Sequence, residues 1–491
     1  MEKIRYSGIV LLGLGPGDPD LLTRQAWRWL ESIPTVWVRT RQHPTVQGFP
    51  NGLQVHSFDE LYESSGKFEE VYAAIVERVL EMGRQPGGVT YAVPGHPFVA
   101  EATCPEIARR AAEQGIAVRV IEGVSFLEPS FSALGADPFP HLALVDALEL
   151  AGQHMPQFPP SQPALIAQIY SRAVASDVKL TLTNVYPDTH PVRLIHAAGT
   201  QEQVVEDILL YEIDRSPHTG LLTTLYLPPL GHDTSLEAFQ EVVAHLRAPE
   251  DGCPWDKEQT QQSMAPSLVQ ETYEAVSALE AGDVDGFREE LGDLLLILVM
   301  LSQIASEDGD FNFAEVVQGI HSKIVRRHPH VFGEATVEGT EGVLKSWEDL
   351  KAAERKAKGN GEEQPKGMLD NLPKALPALM QSQEFQSRAA HVGFDWPDIA
   401  GVKDKLLEEW REVEAAETVE EREDELGDLL FAMVNLIRWH KADAETVLRR
   451  ANQRFKERFA HIEQGARAQG RNLTEMTLDE MEALWQEAKR L

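Results

Sequence analysis

The sequence predicts a multidomain chain: an N-terminal α/β domain over residues 1–230, then two all-α helical domains over 236–358 and 367–491, with a linker at 359–366 between them. Three observations predict it. Short apolar runs alternate with helix-like segments up to about residue 228, long Glu-, Leu-, Ala- and Lys-rich helical patterns follow from Ser235, and the helical part contains one pattern twice.

In the first part, Ile9-Val10-Leu11-Leu12 breaks at Gly13, and Leu21 to Leu30 reads as a helix. Val89 to Val93 breaks at Pro94-Gly95, Glu101 to Gln114 is again helical, and Ala117 to Ile121 is a strand-like run ending near Gly123. Ala164 to Ile169, Lys179 to Leu182 and Leu221 to Leu227 are further strand-like runs before Pro228-Pro229-Leu230-Gly231 punctuates the chain. Such alternation predicts a mainly parallel sheet. Beyond Ser235 strand signals are few, and the polar stretch from Lys358 to Pro365 reads as the linker.

Composition bounds the function. Of 491 residues, 78 are acidic and 45 are Lys or Arg, a net charge of −33 that disfavours general adhesion to nucleic acid or to an anionic membrane. With 43% hydrophobic and 25% charged residues the chain is ordinary globular material. Its two cysteines, Cys104 and Cys253, form neither a disulfide framework nor a four-thiolate zinc site. The apolar run near the N-terminus is too short for a signal peptide, and Leu294 to Leu301 is far short of a membrane span, so a cytoplasmic location is expected.

The duplication is specific. Glu289-Glu290-Leu291-Gly292-Asp293-Leu294-Leu295 recurs as Asp424-Glu425-Leu426-Gly427-Asp428-Leu429-Leu430. Gln270-Glu271-Thr272-Tyr273-Glu274 recurs as Glu408-Glu409-Trp410-Arg411-Glu412, and Trp347 to Lys351 recurs as Trp485 to Lys489. The offsets are 135, 138 and 138 residues, too long a period for a solenoid, so a whole domain is doubled.

The repeated residues are carboxylates at helical spacing. Glu409 and Glu412 are three apart, as are Glu425 and Asp428, which puts each pair on one helix face. Twelve residues between Glu412 and Glu425 suffice to end a helix, turn and return antiparallel, so the pairs can meet. Four facing carboxylates repel unless protonated or bound to a cation, and hard oxygen donors suit Mg²⁺ or Mn²⁺ and phosphate chemistry. An isolated E-x-x-E is by default a solvated helix face. Here the second pair runs directly into Leu429-Leu430-Phe431, and the arrangement occurs twice.

On these residues the region from about 240 to 491 resembles the MazG family of nucleoside triphosphate pyrophosphohydrolases, whose signature is E-E-x-x-E, a spacer, then E-x-x-D. Glu408 to Asp428 fits it fully, and Gly252 to Asp256, Arg327 to Phe332 and Gly393 to Trp396 add to the likeness. The resemblance implies an all-α, usually dimeric fold that converts a nucleoside triphosphate and water to the monophosphate and pyrophosphate with Mg²⁺. It implies metal ligation by Glu409, Glu412, Glu425 and Asp428, phosphate contacts from Arg454, Arg458 and Lys489, and a nucleotide near Trp485. Glu408 or Glu409 is the expected proton acceptor, and the metal count is left at one or two. The first copy keeps Glu271, Glu274, Glu290 and Asp293, with Lys323, Arg327, Trp347 and Lys351 downstream, but has Gln270 where the signature has Glu. An amide cannot serve as a base or anionic ligand, so activity is expected in the second copy first. Salt bridging on an acidic surface, and a repeated core tryptophan, are the plain alternatives for the basic residues and for Trp347 and Trp485.

Leu12-Gly13-Leu14-Gly15-Pro16-Gly17-Asp18-Pro19 follows a strand and precedes a helix. Asp18 stands at the third glycine of a dinucleotide fingerprint, which argues against a NAD site, and no G-K-S/T follows, which excludes a P-loop. With Tyr91 to Pro97 and Val120 to Ser125, both ending strand-like runs, this turn resembles the tetrapyrrole methylase family over residues 8–228. That resemblance implies an S-adenosylmethionine crevice at Gly13, Gly15, Gly17, Asp18, Pro94, Gly95, Gly123 and Ser125, built mostly from backbone, and a small-molecule methyl acceptor. His96 stands where the family has Asp, and Glu122 where it has Pro.

The expected function is hydrolysis of nucleoside triphosphates by a homodimer formed through the helical domains. A methyltransferase with a regulatory helical half and a non-catalytic nucleotide sensor are the alternatives. The intact signature at Glu408 to Asp428 favours hydrolysis.

Overall fold

The computed structural model describes residues 6–64, 68–335, 339, 342–343, 350, 367–370 and 372–490. Trp347, Lys351 and the 359–366 linker lie outside these residues. The chain divides into two compact units, Met1–Ser322 and Lys323–Leu491.

The first unit begins with β1 (Ile9–Gly13), α1 (Arg24–Ser32), β2 (Thr35–Val38), β3 (Gln54–Ser57), α2 (Asp59–Ser64), α3 (Phe68–Gly83), β4 (Val89–Val93), α4 (Thr103–Glu113) and β5 (Val118–Ile121). The strands form one parallel sheet in the order β3-β2-β4-β1-β5. Alternation along β1 explains the layers. Ile9 and Leu11 join Val71, Ile75 and Val79 of α3 and Ile107 of α4 on one face, while Val10 and Leu12 join Ala26, Trp29 and Leu30 of α1 on the other. A strand buried on both faces needs apolar residues at every position, which is why β1 reads as an unbroken run. Cys104 sits inside this core, where burial pushes its thiol up and leaves it inert.

A second sheet follows, from β6 (Ala143–Asp146), β7 (Ala164–Ala167), β8 (Pro191–His196), β9 (Val204–Leu209) and β10 (Thr223–Leu227). Its order is β6-β7-β10-β8-β9, and only β6 and β7 run parallel. The parallel architecture expected from the alternation therefore holds for the first sheet alone. Three helices lie among these elements: α5 (Leu127–Leu134), α6 (Ala147–Ala151) and α7 (Arg172–Leu182). The strand expected at Lys179 to Leu182 is the last turn of α7. Ser171 caps that helix by accepting from the Val174 amide, and Val174, Ala175, Val178 and Leu182 recur at helical spacing and are buried together.

The helical part of this unit comprises α8 (Leu236–Leu246), α9 (Pro254–Lys257), α10 (Gln261–Ala281), α11 (Val284–Asp308) and α12 (Phe313–Arg327), the last crossing into the second unit before α13 (Pro329–Phe332). The second unit continues with α14 (Ala378–His391), α15 (Ile399–Ala415), α16 (Val419–Trp439), α17 (Ala444–Ala468) and α18 (Leu478–Ala488). Among the described residues no helix is long and apolar enough to cross a membrane.

His43, just after β2, is 6% exposed, and its Nδ1 has no hydrogen-bond partner. Loss of hydration pushes its pKa down from 6.5 to about 4. The unfolded chain then binds this proton better, so the contribution of His43 to stability is present above about pH 6.5 and is lost as pH falls toward 4. By pH 5 the loss should reach about 2 kcal/mol. Urea unfolding at pH 7 and pH 5 should show a smaller drop for His43→Leu than for the unaltered chain; equal drops would rule His43 out as the cause.

Candidate active site

Two helix hairpins carry the repeated carboxylates. In the first, Gly282 adopts a left-handed conformation to end α10, and Asp283 caps α11 by accepting from the Gly286 amide. In the second, α15 ends at Ala416, and a Thr418–Glu421 capping box starts α16. Both turns are short, so the paired helices run antiparallel and bring residues far apart in sequence face to face.

In the second copy carboxylate oxygens of Glu409, Glu425 and Asp428 lie within 4.8 Å of one another. Glu409 is 4% exposed. Glu412 stands beside this trio. Loss of hydration and the charges of Glu409 and Glu425 push its carboxyl above the usual range. Lys405, one turn before Glu409, reaches Glu409 at 2.7 Å and Glu408 at 3.0 Å, and these bonds raise its own pKa. Glu408 is thereby held against Lys405 and is not a member of the trio.

The first copy assembles Glu271, Glu274 and Glu290 within the same 4.8 Å limit. Loss of hydration raises Glu271 and Glu290, and the charges of Glu274 and Asp293 add to both. Gln270 donates to Glu274 at 3.1 Å, and Ser267 occupies the place that corresponds to Lys405. Each copy thus gathers three of the four expected carboxylates, with the fourth, Asp293 or Glu412, near enough for its charge to be felt, and oxygen donors so grouped fit a hard divalent cation.

What differs is the surroundings. Beside the second cluster lies a cavity of about 730 Å³ with Glu409 and Asp428 in its wall. Phe385, Phe394, Trp396, Val402 and Phe431 supply its apolar surface; Gln386, Asp395, Asn435 and Arg438 supply polar groups. Asp395 is fixed through Oδ1 by Arg438 at 2.7 Å, by the Trp396 amide at 2.9 Å and by the Trp439 indole at 3.2 Å. Burial pushes this carboxyl up, but those bonds outweigh it and hold it below the usual carboxylate range. In the first copy Val243, Met264, Ile297, Val299, Met300 and Ile304 pack together between the helices. A cavity there of about 220 Å³ is lined by residues such as Gln240, Ser302 and Phe313, with no member of the carboxylate cluster in its wall.

In the α/β domain three turns meet at the C-terminal ends of β1, β4 and β5. Gly15 and Gly95 exchange backbone hydrogen bonds at 3.2 and 2.8 Å. A Cβ on Gly13 would lie 2.6 Å from both the Gly95 oxygen and the Gly123 nitrogen, so the close approach requires glycine. Gly95 has φ +67°, and a Cβ there would point into open space. Asp18 accepts from the Asp20 amide at 2.9 Å and caps a short turn of helix, and Gly17 packs on Thr200. Pro94 is half-buried beside Gly95. Ser125 is buried, with its amide and hydroxyl both donating to Glu128. His96 accepts the Phe98 amide at 3.1 Å.

Residues 259–332 match the MazG nucleotide pyrophosphohydrolase domain, and residues 8–214 match the tetrapyrrole (corrin/porphyrin) methylases. The Escherichia coli K12 protein named nucleoside triphosphate pyrophosphohydrolase is 44% identical over 260 residues, 52% of this chain and 97% of its own. The chain belongs to the MazG family. A second MazG relative, the nucleoside triphosphate pyrophosphohydrolase/pyrophosphatase of Thermotoga maritima, is 40% identical over 254 residues, 51% of this chain and 95% of its own. The Bacillus subtilis protein YabN, described as uncharacterized, is 38% identical over 490 residues and 98% of both chains, so it is similar to the methylase-like and MazG parts together.

Within the second MazG copy, the basic and aromatic residues expected at the nucleotide form a separate group. Arg458 lies 5.6 Å over the Trp485 ring, and Phe455 packs against the same ring at 5.3 Å, tilted by 55°. Arg454 and Lys489 are exposed. None of Arg454, Arg458, Trp485 and Lys489 lines the cavity. Sequence reasoning missed Lys405, Gln386, Asn435 and Arg438. Of these only Lys405 had a readable signal, its i, i+4 spacing to Glu409.

A cation is expected to relieve the repulsion in this cluster. Saturating Mg²⁺ or Mn²⁺ should raise the melting temperature of the full chain, by an amount corresponding to about 2.7 kcal/mol at a hundred times the dissociation constant. Melting curves that coincide in EDTA and in excess of either ion would remove the metal from the site.

Proposed function

We propose that the chain is a Mg²⁺- or Mn²⁺-dependent nucleoside triphosphate pyrophosphohydrolase that works from its second MazG copy. The observation that carries this reading is the cavity whose wall includes Glu409 and Asp428, since it joins an apolar compartment to a carboxylate cluster. A nucleotide needs both, an aromatic-lined space for its nucleoside and an anionic cluster that recruits a cation for its phosphates.

In this proposal Glu409, Glu412, Glu425 and Asp428 hold the metal, which when bound offsets phosphate charge and lowers the pKa of water. Lys405 keeps Glu408 beside Glu409, so Glu408 is the carboxylate left to accept a proton from the attacking water. Water adds to the α-phosphorus, the bond from that phosphorus to the α–β bridging oxygen breaks, and pyrophosphate leaves. Arg454, Arg458 and Lys489 are proposed phosphate contacts, with Trp485 beside the nucleotide. Exposed Trp410, Leu426, Leu430 and Phe455 support a homodimer through these helices.

For the N-terminal domain the proposal is an S-adenosylmethionine site at Gly13, Gly95 and Gly123, supported by the open space over Gly95. When bound, that ligand would supply an electrophilic methyl group to a small-molecule acceptor.

Pyrophosphate release across a nucleotide panel tests the hydrolase. Glu409→Gln and Asp428→Asn should each lower turnover at least about a hundredfold with circular dichroism unchanged, because each keeps its size while losing an anionic metal ligand. Glu271→Gln and Asp293→Asn should cost less; the reverse ranking would move catalysis to the first copy. Calorimetry of the full chain with S-adenosylhomocysteine tests the second site. Binding is expected, and Gly95→Val, which fills the space over Gly95 and also strains its left-handed backbone, should abolish it; no heat from the unaltered, folded chain would leave a methylase fold without its cofactor.

A further inference from the structure

Resting on the hydrolase reading, two polar groups in the wall of the second-copy cavity bear on which part of the nucleotide is recognised. Asp395, in the loop between α14 and α15, commits one carboxylate oxygen to the protein. Its Oδ1 accepts from Arg438 Nη2 at 2.7 Å, from the Trp396 amide at 2.9 Å and from the Trp439 indole at 3.2 Å. Burial pushes the carboxyl up, but these bonds outweigh it, so the group is ionised at neutral pH. Oδ2 takes no part in that set. The side chain is 22% exposed, and with Oδ1 enclosed by three donors its open side is that of Oδ2.

The same Arg438 nitrogen orients Asn435 on α16. Asn435 Oδ1 accepts from Arg438 Nη2 at 2.8 Å and from Nε at 3.0 Å, so its amide nitrogen is turned away from Arg438 and can only donate. Asn435 is half-buried in the cavity wall, and that nitrogen is accessible rather than sealed. Both Oδ1 atoms hinge on one guanidinium nitrogen, which holds an acceptor, Asp395 Oδ2, and a donor, Asn435 Nδ2, close together.

Their place along the cavity decides what they can meet. Asn435 follows Asp428 by nearly two turns, so it stands on the same face of α16, about 10 Å further along the axis. A nucleotide whose α-phosphate lies at the carboxylate cluster puts the far edge of its base at such a remove and its sugar hydroxyls nearer. Phe394 and Trp396 flank Asp395 and line the same cavity; Phe394 is 83% exposed, and both offer a planar surface to a heterocycle. The edge of a nucleobase carries an N–H beside a carbonyl or ring nitrogen and so answers both groups. A phosphate has no donor for Asp395 and is repelled by its charge.

We infer that Asp395 Oδ2 accepts an N–H of the substrate's nucleobase while Asn435 Nδ2 donates to the acceptor beside it. Both are specificity residues in this assignment, remote from the phosphorus that reacts.

The experiment uses the full chain with Mg²⁺ and sets each nucleotide against an analogue that lacks a base N–H and keeps its phosphates. ATP is compared with purine riboside triphosphate, CTP with pyrimidin-2-one riboside triphosphate, UTP with N3-methyl-UTP, and GTP with both ITP and N1-methyl-GTP. For the nucleotide turned over best, an analogue should lose about tenfold or more in kcat/KM, mostly through KM, because an ionised acceptor is left unpaired. Asp395→Asn keeps a carbonyl for the three donors and turns the open oxygen into an N–H donor. It should erase or reverse the parent's advantage over the analogue, whereas loss of the Arg438 ion pair alone would weaken both alike and leave their ratio unchanged. Asn435→Asp keeps Oδ1 for Arg438 and replaces the donor by an acceptor, and should raise KM for the parent; an unchanged KM would remove Asn435 from the assignment. Melting temperature checks that each variant is folded, and the comparisons on the unaltered chain need no variant at all. Equal kcat/KM for every parent and analogue, or a ratio that survives in folded Asp395→Asn, would overturn the assignment while hydrolysis itself stood. A loss confined to 2′- or 3′-deoxy nucleotides would overturn it in favour of a ribose hydroxyl. If no nucleotide were turned over, the hydrolase reading would fall, and the same pairs would be compared by calorimetric binding, where equal affinities or no binding would overturn the base assignment too.

Discussion

Carboxylates held within 4.8 Å of one another repel, and the helical half is arranged so that they cannot move apart. Their i, i+3 spacing fixes each pair on a helix face, and a short turn forces the two faces together. Loss of hydration, with the charge of neighbouring carboxylates, pushes Glu271, Glu290 and Glu412 above the usual range. A hairpin of this kind is unfavourable on its own. It persists because the apolar residues of the same helices are packed, and because Lys405 places one ammonium against Glu409 and Glu408 in the second copy.

The two copies show how one hairpin can serve different ends. Both keep their carboxylates together, yet the space next to them is packed by apolar side chains in one and open in the other. Gln270 belongs to the same divergence: it bonds to a cluster carboxylate where its counterpart Glu408 bonds to a lysine. Filling and bonding both favour a stable scaffold, whereas an open, aromatic-lined cavity sacrifices packing for room.

Much of this was legible in the sequence, for identifiable reasons. The carboxylate sets were readable because helical spacing is local and the pattern occurs twice. In the first sheet β1, β4 and β5 were readable as apolar runs, whereas β2 and β3, short and only partly buried, were not. In the second sheet β7 and β10 were readable for the same reason, but the β8–β9 hairpin was not, because polar residues interrupt both strands, and the pairing of β10 with β7 and β8 joins segments distant in sequence. Lys179 to Leu182 looked like a strand in isolation, and only the Ser171 cap and the buried spacing of Val174, Val178 and Leu182 assign it to a helix. Asn435 carried no signal at all. An asparagine in a helix becomes informative only once Arg438 is known to hold its oxygen.

The three-way backbone contact of Gly13, Gly95 and Gly123 has an evolutionary side. Because the floor of that crevice is main chain, its shape is insensitive to which side chains flank it, provided the glycines stay. His96 and Glu122 flank that floor without being the close-packed glycines, so a change at either alters what is presented to a visitor while the three-glycine contact stays. A fold organised in this way separates heredity of form from heredity of chemistry: three residues transmit the first, and their neighbours are left to vary the second.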